Sequence, residues 1–562
     1  MKYLTLTRTC VAFSLLATSA AAVGELEYDP FQKFATIPKE ELVVSATPEI
    51  APDGSFLENG KPRYYPATCW YGGFEFMPEH NPGASDALKW LYERMPDYET
   101  VSRLGFDATG LSCTFKWLRM YRPNQREFPC DWKKSLPSFK CGIPLYMDFT
   151  ASEWGLGSMN LGDRPLDPDF KGERGKWPDE EPKRRPEAKL DFDDDDDDDD
   201  AIMSLDDFDP GKQKAVAKNK AKAPAGPPKG YLGPEAFTVG HNHWVAYSTV
   251  HPKGRKIWLN MWKYGAKEVL DLGLKPWCYE LFNEPAVYDE SEYAHAEFDR
   301  LMRRKFGDDY QQTQAGIVRS IEYAKYLEER FASLMDEGVE TLRSVDPDAR
   351  ATFQPCTIRT RGIDLYRSYR NLGVVCSHTG GRGLMEAHML RGLADGKPIV
   401  DNEMYFGNTT NSIRQSYLDQ YQRGFNMSMS FKWSCDRSSY NFMNRVNVRP
   451  DALLGVRIAK RDIMDVNEFF TPRERGIRRE VAVLFSNPTE RYAQQANHSG
   501  YRYFDQAVVG IDAAHLPVDV IWEEDLTNSV QRLGRYRVLV TAGTDMAYPG
   551  TLKNIRNWVE HG

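Results

Sequence analysis

Eight short apolar runs, most of them separated by stretches long enough for a helix, occupy the chain between residues 60 and 470. Runs of this kind, bounded by glycine, proline or polar residues, are typical of strands buried in a parallel sheet. The predicted strands cover residues 63–76, 104–109, 141–149, 277–282, 349–355, 372–378, 397–406 and 424–433. Apolar residues at helical spacing predict helices at 87–103, 256–272 and 314–345. Eight strands alternating with helices predict an α/β fold, a (β/α)8 TIM barrel.

A second unit begins at residue 479, where the pattern changes. Three short apolar runs at 481–485, 518–522 and 536–540 are separated by stretches of helical length, and a last helix is predicted at 552–560. This order predicts a small open α/β sheet of the flavodoxin-like kind. Three strands make a small sheet, so the sequence leaves open whether this domain is complete.

The first 22 residues have the features of a secretory signal peptide. Lys2 and Arg8 supply positive charge, residues 10–17 form a short apolar core, and residues 19–22 offer a small-residue cleavage site. No later stretch reaches the roughly 18 apolar residues of a membrane span. We therefore expect export, to the periplasm or beyond, of a barrel domain over residues 23–475 and a C-terminal domain over residues 479–562.

The barrel pattern is interrupted by a charged, proline-rich insertion at residues 162–230. It contains an uninterrupted run of eight aspartates at 193–200, followed by a tract of Lys, Ala and Pro at 212–229. Such a segment has too little apolar surface to offset the entropy lost on ordering, so we expect it to be disordered. Calcium binding by the aspartates is the alternative, but the run lacks the spaced acidic residues and glycine of an EF-hand loop.

Charge and cysteine content exclude several classes of function. The formal net charge is −9 and there is no basic segment of the kind that binds nucleic acid, so a nucleic-acid partner is not expected. The cysteines lack metal-site spacing. Cys278, Cys376 and Cys435 lie in apolar runs, which predicts buried thiols. A disulfide between Cys130 and Cys141 is left open.

Two predicted strands end in a glutamate. The fourth runs into Asn283, Glu284 and Pro285, and the seventh leads to Glu403. Catalytic groups of a TIM barrel lie at the carboxyl ends of its strands, where the fourth and seventh can face each other. Two facing carboxyl groups are what glycoside hydrolysis needs, with Glu284 as proton donor and Glu403 as nucleophile. The competing interpretation is two unrelated carboxylates at strand ends.

These residues resemble the clan A glycoside hydrolases, which are retaining enzymes with (β/α)8 barrels. The resemblance covers residues 60–470 and implies that Trp433, on the eighth strand, stacks on a sugar. It also implies that His378, at the end of the sixth strand, contacts substrate near the nucleophile. The C-terminal unit is similar to the amidotransferase-like domain of family 42 β-galactosidases but has no cysteine, so amidotransferase activity is not expected. Pro285 is closer to the pattern of family 5.

Further candidates for substrate binding are weighed against structural roles. Asn283 is predicted to bind a sugar 2-hydroxyl if Glu284 is the acid, and is otherwise a turn residue. Tyr405 either donates a hydrogen bond to the nucleophile or only packs. For His378, His243 and Trp154 a structural role is an equal alternative. Asp148 and Asp401 are active-site neighbours or strand-end caps.

The sequence thus predicts an exported retaining glycosidase that cleaves β-linked sugars, galactosides or related plant or algal polysaccharide fragments. The chemistry requires neither a metal nor an organic cofactor. One alternative is a catalytically silent carbohydrate-binding or scaffold protein on the same barrel, and another is a metal-dependent barrel hydrolase. The sugar, the linkage, exo or endo action and the oligomeric state are left open.

Overall fold

The computed structural model describes residues 47–70, 106, 108–112, 145–148, 247–271, 275–310, 316–355, 362–378, 383–407, 409–431, 450–467, 479–496, 501–527 and 529–561. Several predictions lie outside these residues. They concern the signal peptide at 1–22, the helix at 87–103, the insertion at 162–230, the disulfide between Cys130 and Cys141, and the thiol of Cys435.

Eleven strands precede the C-terminal unit in the described part of the chain, and eight of them form one parallel sheet. In chain order they are β1 (Glu49–Ile50), β2 (Phe56–Glu58), β3 (Lys61–Pro62), β4 (Tyr65–Trp70), β5 (Ala108–Ser112), β6 (Leu145–Asp148), β7 (Cys278–Asn283), β8 (Ala351–Gln354), β9 (Val375–Ser377), β10 (Ile399–Met404) and β11 (Met427–Ser430). The parallel sheet contains β4 to β11, in the order β8-β7-β6-β5-β4-β11-β10-β9. These are the eight predicted barrel strands, so β7 is the fourth barrel strand and β10 is the seventh.

The two outer strands of this order, β8 and β9, meet and close the barrel. The Gly373 N–H, just before β9, donates to the carbonyl of Ala351 in β8 at 3.0 Å. The Tyr369 hydroxyl lies 2.6 Å from the carbonyl oxygen of Phe353 in β8 and 3.0 Å from that of Cys376 in β9. Its ring also stacks on Phe353, with 4.6 Å between centroids. One buried tyrosine therefore joins the two strands at the seam.

Helices cover the outside of the barrel. They are α1 (Pro252–Asp271), α2 (Glu292–Phe306), α3 (Ile317–Arg343), α4 (Leu365–Ser368), α5 (Gly383–Ala394), α6 (Thr410–Gln422) and α7 (Pro450–Val466). The predicted helices at 256–272 and 314–345 correspond to α1 and α3. Among the helices in the described ranges, none is both long enough and apolar enough to span a bilayer.

Aromatic side chains pack the helices onto β7. Trp258 and Trp262 of α1 contact Phe282 edge to face, with centroids 4.5 and 5.4 Å away. Phe331 of α3 lies 5.5 Å from the same ring. All four rings are buried. Large aromatic surfaces removed from water contribute strongly to stability, so this packing fixes the strand that carries Glu284.

A three-stranded antiparallel sheet, β1-β2-β3, covers the amino-terminal end of the barrel strands. Its Phe56 contacts Tyr65 of β4 and Trp277, which precedes β7, edge to face at 5.5 and 5.2 Å. In the turn before β2, Gly54 has a φ of 84°, and a Cβ there would lie 2.4 Å from the carbonyl oxygen of Lys397. This sheet was not predicted from the sequence.

The C-terminal unit contains β12 (Val481–Phe485), β13 (Val518–Trp522) and β14 (Val538–Val540), all parallel, in the order β13-β12-β14. Its helices are α8 (Asn487–Ala496), α9 (Tyr501–Ala513), α10 (Glu523–Thr527) and α11 (Pro549–His561), with a 3-10 helix at Gln531–Arg535. The three strands lie where apolar runs predicted them.

A buried ion cluster joins this unit to the barrel. Arg491 of α8 lies with Nε 2.6 Å from Glu328 of α3 and with Nη2 2.9 Å from Asp364, which caps α4. All three side chains are at most 8% exposed. Nearby, the Trp522 indole N–H donates to the carbonyl of Met389 at 3.2 Å. The C-terminal unit is therefore held to the barrel by desolvated contacts.

Candidate active site

An extra residue interrupts the ladder of each strand that leads to a predicted catalytic glutamate. On β7, Glu280 and Asn283 are three positions apart, whereas the residues opposite them on β8 are two apart. On β10, Asp401 and Met404 are also three positions apart, whereas the residues opposite them on β11 are two apart. A bulge of this kind redirects the side chains that follow it, and bulges are common beside active sites. A β-bulge therefore influences the side-chain orientation of both glutamates.

The backbone at Glu284 is unusual for a residue with a side chain. Its φ is 42°, in the left-handed region that a non-glycine residue rarely occupies. Its N–H donates to the carbonyl of Gln354, at the end of β8, at 2.6 Å. Such a conformation costs free energy, of order 1–3 kcal/mol, and is concentrated at functional sites. The left-handed turn directs the Glu284 carboxyl away from the course of the strand.

Glu284, His378 and Glu403 form a compact cluster. His378 Nε2 is 2.8 Å from Glu284 Oε1 and 4.0 Å from Glu403 Oε1. One oxygen of each glutamate and a ring nitrogen of the histidine all lie within 4.8 Å of one another. The three side chains are between 8% and 12% exposed. The ends of the fourth, sixth and seventh barrel strands therefore bring two carboxyl groups and one imidazole together in a nearly dry site.

Hydrogen bonds hold both oxygens of Glu403. Gln354 Nε2 donates to Oε2 at 2.5 Å, and the Tyr405 hydroxyl donates to Oε1 at 3.2 Å. The Glu403 N–H donates to Asp401 Oδ1 at 3.1 Å. The Tyr405 ring also contacts His378 edge to face at 5.0 Å. The carboxyl plane is thus fixed from two sides.

Burial and neighbouring charges shift both titrations in this cluster. Burial raises the pKa of Glu403 to about 7, opposed by the charge of His378 and assisted by that of Glu284. Burial alone would lower the pKa of His378. The hydrogen bond with Glu284 and the charges of both glutamates outweigh this and raise the pKa to about 9. At neutral pH the imidazole is therefore a cation between two carboxyl groups.

A second set of polar contacts lies inside the barrel. Glu280 Oε2 accepts from the Tyr146 hydroxyl at 2.9 Å and from Asn402 Nδ2 at 2.6 Å. The thiol of Cys376 lies 2.7 Å from Asn402 Oδ1. Burial is the main cause that raises the pKa of Cys376, as it does for Cys278. Both thiols are buried, as predicted, and the set connects β7 to β10, the two strands of the catalytic glutamates.

The predicted site residues divide into those that the structure brings together and those it does not describe. Glu284, Glu403, His378 and Tyr405 lie together, and the predicted hydrogen bond from Tyr405 to Glu403 is present. Asn283 is the last residue of β7 and is 8% exposed. Asp148 ends β6, but its side chain is outside the described part. Trp154, His243 and Trp433 also lie outside the described residues.

Gln354 is the site residue that the sequence did not identify. It ends a four-residue strand, ATFQ, and is only 1% exposed. It carries no charge and matches no motif. The one available signal was its position at the end of a barrel strand, where catalytic groups collect.

The cluster also has the composition of a metal site. Two carboxylates and one imidazole are common zinc ligands, and ligand atoms around tetrahedral zinc lie roughly 3.3 Å apart. The two spacings from His378, 2.8 and 4.0 Å, lie on either side of that value, and the three atoms are spread over up to 4.8 Å. The shorter one is a normal hydrogen-bond distance. The alternative of a metal-dependent hydrolase therefore has a candidate donor set, which chelation can test.

Comparison with known proteins gives likenesses of structure. No protein-family model matches the sequence, and no curated protein matches it. The beta-galactosidase from the psychrophilic Marinomonas ef1 is 12% identical, with a TM-score of 0.58 over 88% of this chain and 74% of that chain. The beta-galactosidase from Bacillus circulans sp. alkalophilus is 12% identical, with a TM-score of 0.60 over 90% of this chain and 70% of that chain. The family 42 exo-carrageenase from Bacteroides ovatus is 12% identical, with a TM-score of 0.54 over 92% of this chain and 66% of that chain.

These likenesses confirm the predicted TIM barrel. The chain has the fold of the clan A glycoside hydrolases, which its two strand-end glutamates led us to expect. At this level of identity the agreement concerns the fold, and the roles of individual residues rest on the geometry of the site.

Proposed function

We propose that this protein is a retaining glycoside hydrolase in which Glu284 is the proton donor and Glu403 is the nucleophile. The observation that carries the proposal is the spacing of the two glutamates, with oxygens within 4.8 Å of each other. Retaining glycosidases hold their two carboxyl groups about 5–5.5 Å apart, and inverting enzymes about 6.5–9.5 Å apart, because a water must fit between them. The short spacing favours direct attack on the sugar.

The proposed reaction has two steps. Glu403 attacks the anomeric carbon while Glu284 transfers a proton to the departing oxygen, which breaks the glycosidic bond and forms a glycosyl ester. Glu284 then removes a proton from a water molecule that attacks the same carbon and displaces Glu403. Each step inverts the carbon, so the configuration is retained overall. The cation of His378 lies beside both carboxyl groups and stabilises the ionised form of Glu403.

The substrate that we propose is a β-galactoside or a related fragment of a plant or algal polysaccharide. Two of the structural neighbours are named as beta-galactosidases and a third as an exo-carrageenase. The site agrees with a sugar ligand in one further respect. Carboxyl, imidazole and phenol groups are gathered at the carboxyl ends of the strands, where TIM barrels bind substrates.

We further propose that the protein is exported, on the basis of the charged, apolar and small-residue segments at residues 1–22. Expression of the full chain in a bacterial host, followed by cell fractionation and N-terminal sequencing, tests this. We expect a mature protein that begins near residue 23 in the exported fraction. Cytoplasmic protein with an intact N-terminus would contradict export.

A panel of aryl glycosides tests the proposed activity. We expect turnover of aryl β-glycosides, with the fastest rate on the galactoside, and no loss of rate in the presence of a chelator. Sugar binding without turnover would favour a catalytically silent barrel. Turnover that a chelator abolishes and added metal restores would favour a metal-dependent hydrolase.

A further inference from the structure

Gln354 forms a hydrogen bond with each of the two predicted catalytic glutamates. Its backbone carbonyl accepts the N–H of Glu284 at 2.6 Å, and its side-chain amide donates to Glu403 Oε2 at 2.5 Å. It lies at the end of β8, opposite Asn283 in the ladder. One residue of the fifth barrel strand therefore links the glutamate that follows the fourth strand to the glutamate of the seventh.

The two contacts have different chemical consequences. The backbone contact anchors the left-handed turn at Glu284 and is available to any residue at position 354. The side-chain contact is specific to the amide. A hydrogen bond donated to a buried carboxylate stabilises the ionised form, so it opposes the effect of burial on Glu403. The side-chain amide of Gln354 is indeed one of the influences that lower the Glu403 pKa.

The orientation of the carboxyl group also depends on this amide. The Tyr405 hydroxyl donates to Oε1 and faces the side of His378, whereas Gln354 holds Oε2. With one anchor on each oxygen, the group cannot rotate about its terminal bond without breaking a hydrogen bond. If the Gln354 amide were lost, the Tyr405 hydroxyl would be the one of these two donors that still holds the Glu403 carboxyl group.

We propose that Gln354 is a positioning residue that keeps Glu403 ionised and correctly oriented for attack. The proposal rests on the proposed glycosidase function and deepens it. It predicts a selective effect, because Gln354 acts on Glu403 through its side chain and on Glu284 only through its backbone. Losing the amide should change the ionisation of the nucleophile and leave the proton donor in place.

The test substitutes Gln354→Met, which keeps the length of the side chain and removes the donor. Loss of one hydrogen bond to a buried carboxylate should move the acidic limb of the pH dependence of kcat/KM upward by about one pH unit. For a pKa that rises from about 7, this corresponds to a loss of about fivefold in kcat/KM at pH 7 and about tenfold at pH 5, while the alkaline limb stays in place. Gln354→Asn, whose amide is one methylene too short to reach, should behave in the same way and serves if the Met variant does not fold.

Thr352→Val is the matched control. Thr352 is fully buried on the same strand, opposite Glu280 in the ladder, and its hydroxyl lies 3.4 Å from the Phe353 carbonyl oxygen. It should leave the acidic limb unchanged. A general weakening of β8 would instead lower activity equally at all pH values in both variants, which would overturn the positioning role.

A second readout does not depend on turnover. In protein labelled with 13C at the glutamate side-chain carboxyl carbon, the Glu403 resonance is assigned from its loss in Glu403→Gln and is followed with pH. We expect its midpoint to rise by about one pH unit in Gln354→Met. An unchanged midpoint in a folded variant would refute the inference even if the protein is a glycosidase. A shifted midpoint in a protein without glycosidase activity would refute the proposed function alone.

Discussion

His378 Nε2 lies 2.8 Å from Glu284 and 4.0 Å from Glu403, so the imidazole is hydrogen-bonded to the predicted proton donor and not to the predicted nucleophile. The sequence resemblance placed this histidine near the nucleophile. The geometry makes it a bridge between both carboxyl groups. Its charge consequently matters for two steps, the ionisation of Glu403 and the protonation of Glu284.

The first prediction concerns the pH dependence of kcat/KM. The nucleophile must be ionised, and the pKa of Glu403 is raised to about 7, so activity should rise as the pH increases through about 7. The pKa of His378 is raised to about 9, so its proton, which it shares with Glu284, is lost as the pH passes about 9. We expect a bell-shaped profile with these two limbs, measured between pH 5 and 10.

His378→Gln tests the assignment of the alkaline limb. Glutamine keeps a hydrogen-bond donor near Glu284 but cannot titrate, so the alkaline limb of kcat/KM should no longer lie near pH 9. The positive charge beside Glu403 is also lost, so the pKa of Glu403 should rise. The acidic limb should therefore shift upward as well. An unmodified enzyme whose acidic limb lies near pH 4.5, the ordinary range of a glutamate, would contradict this account of the site.

The second prediction concerns Glu284 as the proton donor. Glu284→Ala should lower kcat/KM by about 10²–10⁴ on glycosides with poor leaving groups, because these need protonation. Activated aryl glycosides leave as stable anions and should be affected much less. Rates across a series of leaving groups measure the difference.

Glu290→Ala is the control for the second prediction. Glu290 follows in the same loop, is 52% exposed and pairs with His295, so its loss should leave every leaving group unaffected. Equal losses on good and poor leaving groups in Glu284→Ala would remove Glu284 from the role of acid.

The structure shows why some of this site was predictable and some was not. The runs that lead to Glu284 and Glu403 are apolar at their start and continue into a glutamate, a pattern that the local sequence contains. Gln354 ends a short strand with no charge, and its contacts depend on the bulge in β7, which no local pattern encodes. The positive φ of Glu284 likewise reflects its tertiary surroundings, since glutamate has no intrinsic preference for it.

The sheet β1-β2-β3 was missed for a related reason. Its strands are two or three residues long, too short to show the alternation of apolar and polar positions that identifies a strand. Phe56 and the partly buried Ile50 pack against the apolar cluster at this end of the barrel, and two apolar residues six positions apart in a polar segment do not indicate a strand. The barrel strands were predictable because both of their faces are buried, which makes the runs continuous.

The third prediction concerns the barrel seam. Tyr369→Phe keeps the ring that stacks on Phe353 and removes the hydroxyl that lies between the carbonyls of Phe353 and Cys376. A buried carbonyl that loses its partner costs about 1–3 kcal/mol. We expect a decrease of that size in the free energy of unfolding, measured with a denaturant. Tyr503 is 62% exposed, so Tyr503→Phe should leave the free energy of unfolding unchanged. An equal decrease in both variants would contradict the stabilising role of the Tyr369 hydroxyl at the seam.

The fourth prediction concerns the contact between the two units. Arg491→Met removes the cation from the buried pair Glu328 and Asp364, and should destabilise the protein by about 3–5 kcal/mol. Burial already raises the pKa of Glu328 to about 7, so the folded variant binds more protons than the unfolded chain above pH 4.5. Its stability should therefore fall as the pH rises from 5 to 8.

Thermal melts at pH 5 and pH 8 measure this effect. The control is Lys275→Met, which breaks the pair of Lys275 with Asp348, whose side chains are 54% and 77% exposed. An exposed pair is well solvated, so its loss should leave the melting temperature nearly unchanged at either pH. Equal shifts for the two variants would mean that the Arg491 cluster is not desolvated.

The fifth prediction concerns Glu403 as the nucleophile. Glu403→Ala should abolish turnover, because the first step then has no attacking group. The substitution also leaves a space beside the anomeric carbon. Azide is small enough to enter that space and should restore part of the rate on an activated aryl β-glycoside. It attacks from the face that Glu403 occupied, so the product should be the α-glycosyl azide.

The proton donor supplies the matched control for this experiment. In Glu284→Ala the nucleophile is intact, so azide should intercept the covalent intermediate and give the β-glycosyl azide. The same anion would then yield opposite configurations in the two variants, and NMR of the products distinguishes them. With the carboxyl oxygens within 4.8 Å, the unmodified enzyme should release the β-anomer first. An α-anomer as its first product would mean that Glu403 activates water instead, and the double-displacement mechanism would be wrong.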